Sequence, residues 1–222
     1  MIPWVHLATA VMPGKGGELK LMQRGLEFSI MSGSIELMNS RLSGSEEALA
    51  TLSAERLVTC ESPSVLIGGY GMGFTLRAAL KAFGPKAQIT VGELVPEVLD
   101  WARGPMASLS GDSLSDPRLT LATGDVAGLI RGGRWDAILL DVDNGPEGLS
   151  RGANDRLYNR PGLATALSAL TPGGLLCVWS SAPSETFTGR LEESGFEVEI
   201  ARVRAHGGKR GARHVIWMAR RP

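Results

Sequence analysis

The sequence predicts an α/β fold: a mostly parallel sheet finished by a C-terminal antiparallel hairpin, with a small N-terminal β region. Three observations carry this. Strand-like runs at Val65–Ile67, Ile89–Val91, Leu119–Thr123, Ala137–Leu140 and Leu175–Trp179 alternate with helical patterns, the pattern of parallel strands covered on both faces. A glycine-rich turn, Gly68-Gly69-Tyr70-Gly71-Met72-Gly73, follows the first run at once. Near the end, Phe196–Arg204 and His214–Ala219 are strand-like, and the basic stretch His206–Arg213 between them leaves no room for a helix. Two such neighbours pair as an antiparallel hairpin.

Taken in order, residues 1–60 read as a small N-terminal β region plus a leading helix. Glu18–Gln23 and Leu26–Met31 are short strand runs, with turn signals at Pro13–Gly17 and Ser32–Ser34. The helix carries Ala48, Leu49, Leu52 and Leu57, with Glu46 and Glu47 near its start, where the helix dipole favours acids. Residues 61–222 read as the α/β domain. Phe74, Leu76, Ala79, Leu80 and Phe83 recur at helical spacing until Gly84-Pro85. Pro96 and Pro161 suit the first turns of two later helices, and Gly104-Pro105 ends the first of them. Trp101, Trp135, Trp179 and Trp217 adjoin core elements and are expected to pack there.

Composition narrows the function. The 23 Lys and Arg residues balance the 23 Asp and Glu residues, so bulk charge points to no nucleic-acid or membrane partner. No apolar run reaches membrane-spanning length. The opening Met-Ile-Pro-Trp-Val-His has no basic n-region or long apolar h-region, so no signal peptide is expected. Cys60 and Cys177 read as reduced thiols, and the expected location is cytoplasmic. His6, His206 and His214 show no metal-ligand spacing with them, so no metal is expected.

The glycine spacing discriminates between nucleotide motifs. A dinucleotide fingerprint from Gly69 needs glycine at 69, 71 and 74, and position 74 is Phe. The Gly-Lys-Ser/Thr of a phosphate loop is absent. Ligands of open α/β sheets bind beyond the carboxyl ends of the strands. Four consecutive strands here end in groups a nucleoside cofactor uses: the glycine turn (Gly68, Gly69, Gly71, Gly73), then Glu93 for ribose hydroxyls, Gly124-Asp125 for the adenine amino group, and Asp141 with Asp143. A helix cap is the competing reading for Asp125, and a loop cap for Asp143.

On these residues the chain resembles the spermidine synthase (aminopropyltransferase) branch of the class I S-adenosylmethionine (SAM)-dependent methyltransferase superfamily, from about Gly33 to Trp179. The resemblance implies a small N-terminal β domain ahead of a transferase sheet. It implies that Glu93 binds ribose, that Gly124-Asp125 contacts adenine, and that Asp141 handles the attacking amine; Asp143, two residues on and so on the same side of the strand end, is expected to assist. Leu157-Tyr158 looks equivalent to a Leu-Tyr pair of the family, and Tyr158 would close the acceptor pocket. A homodimer is implied by the same analogy. Two departures stand out. The family's turn aspartate, which grips the amino group of decarboxylated SAM, is replaced by Gly71. Its Tyr-His-Glu run before the central strand is matched only by Ser45-Glu46-Glu47.

Losing the turn carboxylate removes a charge that would repel the carboxylate of intact SAM. The expected activity is therefore methyl transfer from SAM to a small amine-bearing acceptor. Aminopropyl transfer from decarboxylated SAM is the alternative, and a non-catalytic nucleoside-binding protein is a third. Asn39-Ser40-Arg41, Gln23 and the basic run at Lys209, Arg210 and Arg213 read as solvated surface.

Overall fold

The computed structural model describes residues 2–14, 16–142, 145–146, 155–205 and 212–222. Asp143 and the basic run 206–211 lie outside the described residues.

Four strands, β1 (Val5–Val11), β2 (Glu18–Arg24), β3 (Glu27–Ser32) and β4 (Ile35–Asn39), form an antiparallel sheet in that order. In β2 the alternation is plain: Leu19 and Leu21 are buried and Lys20 is exposed, as a strand with one covered face requires. The expected β region is thus present, with β1 and β4 added. In β1 the large apolar residues Val5, Leu7 and Val11 are exposed, so its pattern carries no inward-facing signal.

Helix α1 (Gly44–Arg56) leads to β5 (Ser64–Gly68) and packs on α2 (Phe74–Ala82) and β9 (Leu170–Ser180). Next come β6 (Gln88–Glu93), α3 (Pro96–Arg103), the short α4 (Ala107–Ser110), β7 (Leu119–Thr123), α5 (Val126–Gly132), β8 (Trp135–Leu140), α6 (Asp155–Tyr158) and α7 (Arg160–Ala169). After β9 the chain forms α8 (Glu185–Glu193), β10 (Glu197–Arg204) and β11 (Arg213–Arg220). The second sheet has the order β10-β11-β9-β8-β5-β6-β7. The five strands from β9 to β7 are parallel, and β10 and β11 are the expected antiparallel hairpin.

Strand β9 starts earlier than the sequence indicates. Thr171–Gly174, with its Pro-Gly-Gly turn signal ahead of the Leu175–Trp179 run, is an irregularity inside the strand: Trp135 pairs with Leu170, and Ala137 with Leu175. The extra residues are absorbed as a bulge.

The core explains the pattern. Val65, Leu66 and Ile67 are fully buried on both faces of the sheet, so β5 is a continuous apolar run. The four tryptophans at 101, 135, 179 and 217 are all buried. From β5 the chain builds outward through β6 and β7 on one side and through β8 and β9 on the other. That reversal is the topological switch point, and ligands of open α/β sheets bind beyond the strand ends there. No helix among the described residues is long and apolar enough to cross a membrane.

Candidate functional site

A cavity of about 320 Å³ opens at that switch point, within the size range of small-ligand sites. Its floor is the strand ends: Gly69, Gly71, Gly92, Glu93, Gly124, Asp125 and Asp141. Its opposite wall is apolar and comes from the small sheet, with Leu19, Ile30, Leu37 and Met38. Glu46 from the start of α1 and His214 from β11 complete it.

The turn after β5 is built on left-handed glycines. Gly69, Gly71 and Gly73 have φ of 86, 54 and 73°, a region costly for other residues. A Cβ on Gly69 would sit 2.7 Å from the carbonyl oxygen of Asp141. A Cβ on Gly71 would sit 2.6 Å from Cε of Met38. Gly68 and Gly73 do not line the cavity. Gly68 packs its Cα side against Leu140 and Val126. Gly73 leads into α2, whose start no side chain caps.

Glu93 ends β6 and is buried. Its two carboxylate oxygens accept from Tyr70 N and Val95 N, both at 2.8 Å. Burial raises its pKa, and these backbone N–H groups hold the rise in check. The carboxylate is therefore fixed in place, with a lone pair on each oxygen left for a ligand.

Asp125 does two structural jobs. One oxygen accepts from Ala127 N at 3.1 Å and caps α5. The other pairs with Arg156 of α6 at 2.7 Å. The helix-cap reading is thus present in the structure, on a residue that also borders the cavity.

Asp141 follows β8. Thr75 Oγ1 of α2 donates to its Oδ2 at 2.8 Å. Burial and the nearby Glu46 carboxylate push its pKa up to about 7. Burial first, and then the neighbouring Glu47 carboxylate, raise that of Glu46, while the Ser45 hydroxyl holds the rise in check. Ser45 Oγ donates to Glu46 Oε2 at 2.6 Å, and His214 Nδ1 lies 2.9 Å from Ser45 Oγ. The His214 ring packs edge-on against Trp179, 4.9 Å between centroids. The histidine is half-buried, and burial lowers its pKa, so it is neutral at pH 7.

Tyr158 is not part of this cavity. It is buried against Phe187, ring centroids 5.7 Å apart, and borders a separate, wider cleft with Asp155, Arg160 and Glu193. The tyrosine ends a short helix and its ring completes an aromatic cluster with Phe187 and Trp217. Two contributors were not given a role from sequence. Glu46 read as a dipole-favoured helix acid, and His214 as the first residue of a strand with no metal-ligand spacing. The signal available was the Ser45-Glu46-Glu47 departure itself.

Comparison with known proteins follows the same lines. No protein-family model matches the chain. The chain is 34% identical over 130 residues to a polyamine aminopropyltransferase of Mycobacterium tuberculosis, 56% of this chain and 24% of that protein. It is 36% identical over 118 residues to putrescine N-methyltransferase 3 of Nicotiana tabacum, 51% of this chain and 29% of that enzyme. A spermidine synthase structure from Thermotoga maritima superposes with a TM-score of 0.73 at 15% identity, covering 96% of this chain and 72% of that one. The fold is that of the spermidine synthases. The resemblance read from the strand-end motifs therefore holds in both sequence and fold. The spermidine-synthase-like match covers only part of the curated relatives: the chain spans about a quarter of their length.

Proposed function

We propose that this chain transfers a methyl group from SAM to a small, amine-bearing acceptor. The observation that carries this is Gly71, where the turn offers no carboxylate and the Met38 thioether fills the space a side chain would take. A donor tail bearing its own carboxylate meets no like charge at that position. The similarity to a putrescine N-methyltransferase supports the same reading.

The residues present fit a sulfonium nucleoside. Gly69 lets a ligand approach the backbone where a Cβ would collide with Asp141 O. Glu93 keeps acceptor capacity for ribose hydroxyls, held rigid by two backbone donors. Asp125 is the proposed adenine contact, sharing its oxygens with Ala127 and Arg156. When bound, such a nucleoside supplies an alkyl carbon already activated for in-line displacement by the positive sulfur. Asp141 holds the amine and accepts its proton. A carboxyl with a pKa of about 7 is matched to that task near neutral pH, and a positioned base supplies roughly 10²–10⁴-fold. The apolar wall of Leu37, Met38 and Ile30 excludes water, and alignment supplies roughly 7–11 kcal/mol.

Aminopropyl transfer is the second reading, and the similarity to a polyamine aminopropyltransferase supports it, as does the charge of the cavity. The described lining of the cavity holds acids at 46, 93, 125 and 141 and no Lys or Arg, so no cationic side chain receives the carboxylate of intact SAM. Calorimetric titration with SAM, decarboxylated SAM and methylthioadenosine, side by side, separates the two. Tighter binding of intact SAM is the expected result. Tighter binding of decarboxylated SAM would replace methyl by aminopropyl transfer, and no binding of the three would sink the transferase reading altogether.

A further inference from the structure

We infer that Glu46 is a second acceptor-binding carboxylate, which selects a cationic alkylamine, and that His214 is a positioning residue that holds it through Ser45. The inference deepens the proposed transferase reading and rests on it for the identity of the acceptor site.

The four acids of the cavity are not equivalent. Glu93 is satisfied by two backbone N–H groups. Asp125 is satisfied by a helix N-terminus and the Arg156 guanidinium. Asp141 and Glu46 face the same cavity and have no cationic partner among the described residues. From side chains each receives one neutral hydroxyl, from Thr75 and Ser45 respectively. The Thr75 hydroxyl also lies 3.3 Å from the Glu46 carbonyl, so one side chain ties α1, α2 and the end of β8 together. Two carboxylates in one poorly solvated space repel, and each costs desolvation. A protonated amine placed between them removes both penalties at once and offers three donors to their free oxygens.

Glu46 is also built into place, unlike a helix-start acid held only by the dipole. Its neighbour Glu47 is exposed. Ser45 is fully buried, and its hydroxyl fixes the Glu46 carboxylate at 2.6 Å. His214 arrives from the antiparallel hairpin, 169 residues further along the chain, to fix that hydroxyl at 2.9 Å. Trp179 packs against the imidazole ring. A buried serine backed by a half-buried histidine would have no purpose behind a surface acid. Behind a carboxylate that must meet an ammonium group, it sets direction and distance.

The test uses putrescine as the cationic probe, titrated calorimetrically into the whole chain with and without saturating methylthioadenosine. Wild type should bind putrescine, and Glu46→Gln should bind it roughly tenfold to hundredfold more weakly, the range for losing hydrogen bonds to a charged group. Methylthioadenosine affinity should stay within about twofold. His214→Phe keeps a ring on Trp179 but loses the bond to Ser45, so it should weaken putrescine in the same direction. His214→Asn, which returns a polar atom near the Nδ1 position, should recover most of the loss, and a purely structural role would not give that recovery. Wild type that binds no putrescine, or a Glu46→Gln protein that binds it as well as wild type, would overturn the inference. So would a Glu46→Gln protein that loses methylthioadenosine instead. Putrescine binding that depends on Glu46 in a protein that binds no nucleoside would leave Glu46 standing and remove the transferase reading.

Discussion

On the proposed transferase reading, Asp141 is placed where catalysis and stability want opposite things. Its carboxyl is pushed up to about 7 by burial and by Glu46, against 3.8 for an unperturbed aspartate. A base must be ionised to take a proton, so kcat/KM should climb through pH 7 and level off above it. Stability runs the other way. Between about pH 4 and 7 the folded protein keeps a proton that the unfolded chain releases, so stability falls as pH rises across that window. Asp141→Asn removes the titration and keeps an acceptor for the Thr75 hydroxyl. The variant should lose activity by at least two orders of magnitude and yet melt above wild type at pH 8, with the gap closing towards pH 4. Melting curves at the two pH values check this. A variant that melts below wild type at pH 8 would mean that the charged carboxylate is stabilised by something other than the groups named here.

At the scale of elements, the strand-to-helix turn is where backbone and site are the same object. Gly69→Ala meets two obstacles: φ of 86° and a backbone carbonyl 2.7 Å from the new carbon. Backbone cannot yield as a side-chain end can, so the substitution should cost on the order of 1–3 kcal/mol and open the cavity floor. Gly71→Asp meets the flexible end of Met38 instead, and aspartate tolerates a left-handed backbone. It should fold, lose affinity for intact SAM, and keep or gain affinity for decarboxylated SAM. Equal affinities before and after would show that position 71 does not face the donor tail. This turn was the most readable part of the chain, because positive φ leaves a glycine wherever it is needed and each parallel strand ends at the ligand edge. Glu93, Asp125 and Asp141 could be placed by that rule alone. What it could not supply was anything set by tertiary packing. The link from His214 to Ser45 spans most of the chain, so no local pattern encodes it. Glu46 and Glu47 look alike in sequence, and only the docking of α1 on α2 turns one inward. The place of Tyr158, in an aromatic cluster outside the cavity, was illegible for the same reason: a buried ring beside an aromatic cluster and a ring over a ligand site leave the same letter. Strand β1 was missed because its large apolar residues face outward.

For the whole molecule the question is whether the two sheets are two units. The sequence divides the chain into residues 1–60 and 61–222, a division that predicts two unfolding transitions. The packing argues for one. A single buried cluster takes in Leu21, Phe28 and Ile30 from the small sheet, Leu49 and Ala50 from α1, and Ile67, Val91 and Leu139 from the large sheet. Losing the small sheet would expose that cluster and remove the apolar wall of the cavity together. Shared burial of this kind couples the two parts, because neither can open without uncovering the other's apolar surface. Scanning calorimetry should therefore record one transition with matching calorimetric and van't Hoff enthalpies. Methylthioadenosine at a hundred times its Kd should shift that whole transition, by about 2.7 kcal/mol for a ligand that binds only the folded state. Two transitions, with only the later one moved by the ligand, would restore the division at residue 60. They would also make the small sheet a removable cover over a site that the large sheet forms alone.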